Sequence, residues 1–262
     1  MSAIPHKSFV KDAHELSKRL VVSDSASRPA ILLSASVPTR RQATPDMTKQ
    51  ELANVERSNV RYLPSARPLQ IRSAVMEITK AALMRNVQLI FGAHPAISPM
   101  VLDAARNTDA PPDSILIFQS EFFEKIIPGS TLELADWSAG RLFLTPQQPA
   151  ELDHSARHNS LTLMRSIMVS PPNLRGAIFV GGMEGVEEEA KLFKKEHRNL
   201  PCYAVASTGS AAADLFFGES ELAPGGQDQF AGRSVEPDLL KSGTSYSLLA
   251  REILADMGIS PA

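Results

Sequence analysis

The sequence has 262 residues, of which 27 are basic and 29 acidic, and its formal net charge is therefore −2. With 43% hydrophobic residues, the composition is that of a soluble globular protein and not of a duplex-DNA-binding protein, which would concentrate basic charge. The one cysteine, Cys202, excludes an internal disulfide and a cysteine-based zinc site, so nothing indicates secretion. No run of about 18 apolar residues predicts a membrane span, and we expect a cytoplasmic protein.

Short runs of β-branched and aromatic residues alternate with segments of helical periodicity along most of the chain. The strands are predicted at residues 30–36, 87–91, 114–119, 176–180 and 202–206. The helices are predicted at residues 71–84, 99–106, 185–197 and 244–257. Continuous apolar strands joined by helical crossovers predict an α/β fold, with a Rossmann-like, mostly parallel sheet and helices on both faces. We expect a single domain over residues 30–258, preceded by an N-terminal helical extension over residues 1–29.

Two segments do not follow this alternation. Residues 38–70 are polar, rich in arginine and punctuated by proline, which predicts a long excursion after the first strand. Residues 218–237 contain Gly225 and Gly226 and show little periodicity, which predicts a mobile loop before the closing helix.

The carboxyl edge of an open parallel sheet is where ligands bind, because backbone N–H groups and helix N-termini meet there. Four turns after predicted strands are rich in small or hydroxyl residues, at residues 34–38, 92–96, 181–185 and 208–212. A glycine after a strand commonly does no more than form a tight turn, so each turn alone is weak evidence. Their convergence on one edge predicts a site where a pyrophosphate can approach the main chain.

Six motifs occur in order along the chain: LSASVP at 33–38, FGAHPAISPMVL at 91–102, FQSEFF at 118–123, LTLMRSIM at 161–168, VGGMEGVEEE at 180–189 and STGSAA at 207–212. In these motifs the sequence resembles the SLOG superfamily, a Rossmannoid group that contains the LOG phosphoribohydrolases, DprA and the cytosolic sensor domains of TRPM channels. It is similar in particular to the prokaryotic SLOG sensor domains of nucleotide-signalling and anti-phage systems. The resemblance implies a nucleotide-derived ligand.

A narrower resemblance to the LOG enzymes implies a chemistry. Those enzymes pair a helical arginine with a glutamate at the end of a glycine-rich turn and cleave the N-glycosidic bond of a nucleoside monophosphate. Arg165 and Glu189 occupy the matching positions here. A carboxylate can stabilise an oxocarbenium-like transition state, and a guanidinium can bind phosphate with two hydrogen bonds. The turn departs from the LOG pattern, however, because Val180 replaces a proline, Glu184 is inserted and Val186 replaces a threonine.

The turns and motifs together give one set of candidate ligand-binding residues. They are Ser34, Ser36, Arg40, Gly92, His94, Gln119, Ser120, Arg165, Gly181, Gly182, Met183, Glu184, Gly185, Glu189, Thr208, Gly209 and Ser210. Arg165 and Glu189 are catalytic candidates only if the site is LOG-like. Arg40 and the neighbouring Arg41 could reach a bound phosphate, although a solvated arginine pair is the more common outcome.

His154 and His158 have the i, i+4 spacing of a helical metal pair, and Glu151 and Asp153 are close in sequence. No third ligand is evident, and polar helices often have this spacing, so we predict no metal and no cofactor. The sequence also lacks the nucleophile elbow of serine hydrolases and the P-loop of NTPases.

Two functions remain open. The first is a sensor that binds a nucleotide-derived signal, ADP-ribose-like or cyclic, at the carboxyl edge of the sheet. The alternative is a LOG-like nucleotide N-glycosidase that uses Arg165 and Glu189. Binding of nucleic acid, as in DprA, is disfavoured by the acidic net charge.

The expected partners are a second copy of the chain and an effector protein encoded nearby. The segment 161–169 has an apolar surface wider than one sheet contact requires. Leu161, Met164 and Met168 share one helical face, and Leu163 and Ile167 share a neighbouring one. One face could therefore pack on the sheet and the other on a symmetry mate, which predicts at least a homodimer.

Overall fold

The computed structural model describes residues 7–22, 27–45, 47–137, 139–151 and 154–260. The strands are β1 Lys7–Phe9, β2 Ala30–Ser36, β3 Gln88–Gly92, β4 Ile115–Ser120, β5 Gly140–Thr145, β6 Leu174–Gly181 and β7 Cys202–Val205. The α-helices are α1 Ala13–Val22, α2 Lys49–Tyr62, α3 Pro68–Leu83, α4 Ser98–Ala105, α5 Gly129–Asp136, α6 Ala156–Met168, α7 Glu184–Glu196, α8 Ser210–Phe217, α9 Gln227–Phe230, α10 Pro237–Lys241 and α11 Tyr246–Asp256. Turns of 3-10 helix occupy Glu121–Ile126 and Ala206–Thr208.

The strands of the described residues form one seven-stranded sheet in the order β1-β5-β4-β3-β2-β6-β7. Every pairing in it is parallel. The central strands are buried on both faces, which is why they are continuously apolar in sequence. The predicted α/β, Rossmann-like fold is confirmed.

The strand order places a topological switch between β2 and β6. From β2 the chain builds outward through β3, β4 and β5, and it then returns to place β6 on the other side of β2. The two neighbouring strands therefore lead into connections that diverge, which leaves a crevice at their carboxyl ends.

Two strands are missing from the sequence prediction. β5 begins with a glycine and an arginine, which hides the short apolar run that follows them. β1 has three residues, too few for a period-2 pattern, and its Lys7 pairs in parallel register with Leu142 of β5. The extension predicted as helical thus contains α1 and also supplies an edge strand, while its residues 1–6 and 23–26 lie outside the described residues.

The predicted excursion over residues 38–70 contains a full helix, α2, which is a correction. Thr48 and Glu51 form a capping box: the Thr48 hydroxyl accepts from the Glu51 N–H at 3.2 Å, and the Glu51 carboxylate accepts from the Thr48 N–H at 2.7 Å. The buried face of α2 includes Ser58 and Asn59, so its apolar periodicity is weak. The capping box was the sequence signal that could have located this helix.

The predicted mobile loop over residues 218–237 is also corrected. Phe230, at the end of α9, is fully buried and packs edge-on against Phe179 of β6 with 5.9 Å between the ring centroids. The segment is therefore attached to the core by an aromatic anchor, which a glycine-rich stretch without periodicity does not reveal. Among the described residues, no helix is long and apolar enough to cross a membrane.

Candidate functional site

A cavity of about 550 Å³ lies at the carboxyl edge of the sheet, at the switch between β2 and β6. Its walls come from the segments that follow β2, β3, β4 and β6, and from α2 and α6. This is the location at which open α/β sheets bind ligands. Nine of the predicted residues line it: Ser36, Gly92, His94, Gln119, Arg165, Met183, Glu184, Gly185 and Glu189.

The Arg165 guanidinium is the centre of the charged end of the cavity. Its Nε donates to Glu189 Oε1 at 3.4 Å, and its Nη1 donates to Glu188. The side chains of Arg165 and Glu189 are each only 13% exposed. A Cβ added at Gly185 would lie 2.6 Å from Arg165 Nη2, so the glycine leaves the space that this guanidinium occupies.

Glu189 is a buried carboxyl group beside an arginine. Burial raises its pKa above the ordinary value, and the Arg165 guanidinium opposes this rise by favouring the charged form. The buried Ser34 hydroxyl lies near the Glu189 carboxylate and also lowers the pKa of Glu189 by favouring its charged form. Ser34 does not itself line the cavity.

A second ion pair joins the segment after β2 to the start of α7. Arg41 Nη1 donates to Glu184 Oε2 at 3.1 Å, and burial raises the pKa of Glu184. Asn59 of α2 holds the Arg41 main chain with two hydrogen bonds, accepting from its N–H at 2.9 Å and donating to its carbonyl at 3.0 Å. The negative charge that Glu184 adds to the turn is thus matched by a fixed arginine.

Helix α2 forms part of the cavity wall, and hydrogen bonds hold it at both ends. At its start, the Ser155 hydroxyl, which caps α6, donates to Glu51 Oε1 at 2.7 Å. At its end, Arg61 Nε donates to Asp214 Oδ2 at 2.8 Å, and Arg61 Nη2 donates to Glu187 Oε1 at 3.3 Å. The sequence prediction did not assign residues of α2 to the site, because it treated this segment as a loop.

His94 lines the cavity as a neutral imidazole. Its Nδ1 accepts a hydrogen bond from the Ala96 N–H at 3.2 Å, so its proton is on Nε2, which can donate to a ligand. Burial lowers the pKa of His94 to about 4. The residue can therefore contribute a hydrogen-bond donor near neutral pH without adding a positive charge.

His154 and His158 stack with 4.3 Å between their ring centroids and line the cavity. Burial lowers the pKa of His158. Asp153, the other acidic neighbour considered for a metal site, lies outside the described residues. Within the part of the chain that the structure describes, no cluster of three or more His, Cys, Asp or Glu side chains could hold a metal ion.

The turn at residues 208–212 does not line the cavity, because the corner between α2 and α3 covers it. Ser210 N donates to Ser65 Oγ at 3.1 Å, and Ser210 Oγ donates to the Tyr62 carbonyl at 2.9 Å. The Thr208 hydroxyl accepts from the Gly181 N–H at 2.8 Å. The polar groups of Thr208 and Ser210 thus hold neighbouring segments together, and the Gly209 N–H donates within its own turn, to the Ala206 carbonyl.

Gly181 and Gly182 also have packing roles. Both have positive φ, and a Cβ at Gly181 would lie 2.4 Å from Ile71 Cδ1, while one at Gly182 would lie 2.2 Å from Val186 Cγ2. These glycines permit close packing of the turn and do not line the cavity.

Two further predicted residues, Ser120 and Arg40, lie outside the cavity lining. Gln119 was predicted to bind the ligand, but in the structure its amide supports the turn after β3. Ser120 is buried and caps the 3-10 turn, where its hydroxyl accepts from the Phe122 N–H at 3.2 Å. The Arg40 side chain is 75% exposed and lies 3.9 Å from Glu56. Gln119 lines the cavity, but its amide braces the β3 turn by donating to the Ala93 carbonyl at 3.3 Å.

The sequence prediction missed the lining residues Phe123, Ile126 and Arg157. Phe123 is the last residue of the FQSEFF motif, so the motif itself was the available signal. The side chain of Arg157 lies over the Phe123 ring, with 5.8 Å from Cζ to the centroid.

The sequence model of the SLOG cluster3 family matches residues 61–231, which is more than half of the chain. The chain belongs to the SLOG cluster3 family. Membership indicates a nucleotide-related Rossmannoid domain. The matched range of this SLOG protein includes β3 to β7 and both members of the Arg165–Glu189 pair, whereas β2 and the 33–38 motif lie outside it. None of the curated proteins matches the sequence.

Proposed function

We propose that this SLOG protein is a sensor domain that binds a nucleotide-derived ligand in the cavity at the β2–β6 switch. The observation that carries this proposal is the placement of the Arg165–Glu189 and Arg41–Glu184 ion pairs in the lining of one cavity at that switch. Carboxylates at such a position accept hydrogen bonds from ribose hydroxyl groups, and guanidinium groups bind phosphate oxygens.

The paired charges fit a sensor because a ligand could exchange their partners. In the structure, Arg165 binds Glu188 and Glu189, and Arg41 binds Glu184. A ligand phosphate would compete for these guanidinium groups and would change the contacts of α7 and of the segment after β2. A bound ligand can thereby bias the position of segments that reach the surface, which is what a sensor requires.

The partner in this proposal is a second copy of the chain or an effector protein encoded nearby, as in nucleotide-signalling and anti-phage systems. The face of α6 on which a dimer was predicted is used internally, since Met164, Ile167 and Met168 are buried and Leu161 and Leu163 pack against the core. The homodimer stays a prediction.

We expect Arg165→Ala to weaken nucleotide binding by about 10- to 100-fold, because charge-assisted hydrogen bonds to a phosphate are lost. Isothermal titration with AMP, NAD, ADP-ribose and 3′,5′-cyclic AMP measures the effect. Arg72→Ala is the matched control, since Arg72 makes an exposed ion pair with Asp103 and does not line the cavity. Absence of binding to wild-type protein across the panel would remove the support for a nucleotide sensor.

A second candidate function, N-glycosidic hydrolysis of LOG type, is favoured by one observation: Glu189 is a buried carboxyl with a raised pKa that contacts an arginine in the cavity. In this reaction, water adds to C1′ of the ribose and the base leaves with a proton. A carboxylate at this position would stabilise the oxocarbenium-like transition state or take a proton from the water.

For this second candidate, wild-type protein should release free base from AMP, NAD or ADP-ribose, and Glu189→Gln should reduce the rate by at least about 100-fold. Chromatography of the released base gives the rate, and calorimetry shows whether the variant still binds. Glu196→Gln, at the far end of α7, is the control for an acidic residue of the same helix outside the cavity lining. Equal rates for wild type and Glu189→Gln would refute the catalytic role.

A further inference from the structure

The cavity has an end of a different chemical character beside β4. Phe123 and Ile126, from the 3-10 turn after β4, line it together with Arg157 of α6. Ile126 is a large apolar side chain, yet it is 72% exposed. The Arg157 guanidinium lies 5.8 Å from the centroid of the Phe123 ring. An exposed apolar side chain beside an aromatic ring in a cavity is a surface that a bound molecule would cover.

The stacked imidazoles of His154 and His158 add a second flat surface to the lining of the cavity. Flat aromatic and guanidinium groups are the side chains on which planar heterocycles stack. An aliphatic ligand would gain no stacking interaction with the Arg157 guanidinium. A polyol has no apolar surface with which to shield Ile126 from water.

The Arg165–Glu189 pair lies away from β4. Glu189 lies near Ser34 of β2, and in the sheet β3 separates β2 from β4, so at about 4.8 Å per strand this pair and the end beside β4 are about 10 Å apart. Phe123 belongs to the β4 end. A ligand that uses both ends must be elongated, with a flat apolar part and a polar part.

From this placement, we infer that Phe123, Ile126 and Arg157 form a subsite for the heteroaromatic base of the ligand, with the sugar and phosphate directed towards Arg165. This inference rests on the proposed function and adds the orientation of the ligand. Phe123 would stack on one face of the base, and Ile126 would lose its exposure to water.

Phe123→Ala should weaken binding of each adenine nucleotide that wild-type protein binds in the four-compound panel by about 5- to 100-fold, the usual range for loss of one stacking partner. Phe123→Trp should retain the affinity, because an indole also stacks on a base. Phe217→Ala is the control, since Phe217 is an exposed aromatic residue of α8 that does not line the cavity.

The Phe123→Trp variant also reports stacking directly. The chain has one tryptophan, Trp137, which does not line the cavity, so the added indole gives a new fluorescence signal. That signal should be quenched by ADP-ribose and left unchanged by ribose 5-phosphate, which has no base. If wild-type protein binds a nucleotide but Phe123→Ala binds it equally well, the base subsite is wrong and the sensor proposal stands. If no nucleotide binds to wild-type protein, both are wrong.

Discussion

Replacement of Gly209 by alanine is expected to destabilise the protein by about 3 to 5 kcal/mol, because two costs add. Gly209 has φ +75° and ψ −170°, a backbone conformation that is essentially restricted to glycine. A Cβ at this position would also lie 1.8 Å from the Ser65 carbonyl oxygen. The clash involves backbone and not the end of a flexible side chain, so the corner between α2 and α3 would have to move.

The variant Gly258→Ala separates the strain of the backbone conformation from the clash with a neighbouring residue. Gly258 has a similar φ of +74°, but a Cβ there would meet no atom within 4 Å. We expect it to cost about 1 kcal/mol, the strain of the left-handed conformation alone. Urea denaturation of both variants gives the free energies of unfolding. Equal losses would contradict the close contact between Gly209 and the Ser65 carbonyl.

The stability contribution of His94 is expected to fall by at most about 3 kcal/mol between pH 6.5 and pH 4. The pKa of His94 is about 4 in the folded protein, whereas its ordinary value is 6.5. In this pH range the unfolded chain therefore binds a proton that the folded protein does not, so acid shifts the equilibrium towards unfolding. Above pH 6.5 neither state is protonated at this residue, and the full contribution is present.

The variant His94→Gln isolates this effect, since glutamine is uncharged throughout the range and its oxygen can accept from the Ala96 N–H. Glu184, Glu187, Glu189 and Asp214 have raised pKa values, so they favour the folded state as the pH falls. Both proteins contain them, and their effect cancels in the difference. The stability advantage of wild type over His94→Gln should shrink as the pH falls from 6.5 to 4. An NMR titration of the His94 ring with a midpoint near 6.5 would contradict the prediction.

Most of the sheet was predictable because its strands are buried on both faces, which leaves a continuous apolar run in the sequence. β2 has the predicted bounds, and β3 and β4 differ from prediction by one residue at each end. β1 and β5 were missed because short edge elements bury too little to leave a pattern. Helix α2, within residues 38–70, was also missed because its sequence has little apolar periodicity. Polar groups such as Asn59 and Arg61 hold it in place as much as apolar packing does.

The candidate site was predictable in its position and in its charged pair. Parallel strands with crossover helices place every strand's carboxyl end on one edge, so the turn residues had to gather there. The resemblance to LOG enzymes then selected Arg165 and Glu189, which the structure brings into contact at 3.4 Å.

The parallel sheet and the edge that carries the cavity follow from the pattern of the sequence, and the resemblance to LOG enzymes adds the Arg165–Glu189 pair. Which turns face the cavity depends on the tertiary structure alone. The turn at Gly185 leaves room for a guanidinium that lines the cavity, whereas the turn at Gly209 is filled by Ser65, a residue far from it in the chain. Both turns read alike in sequence, because glycine permits close approach without specifying what approaches. Long-range packing of α2 onto the sheet edge supplies that choice.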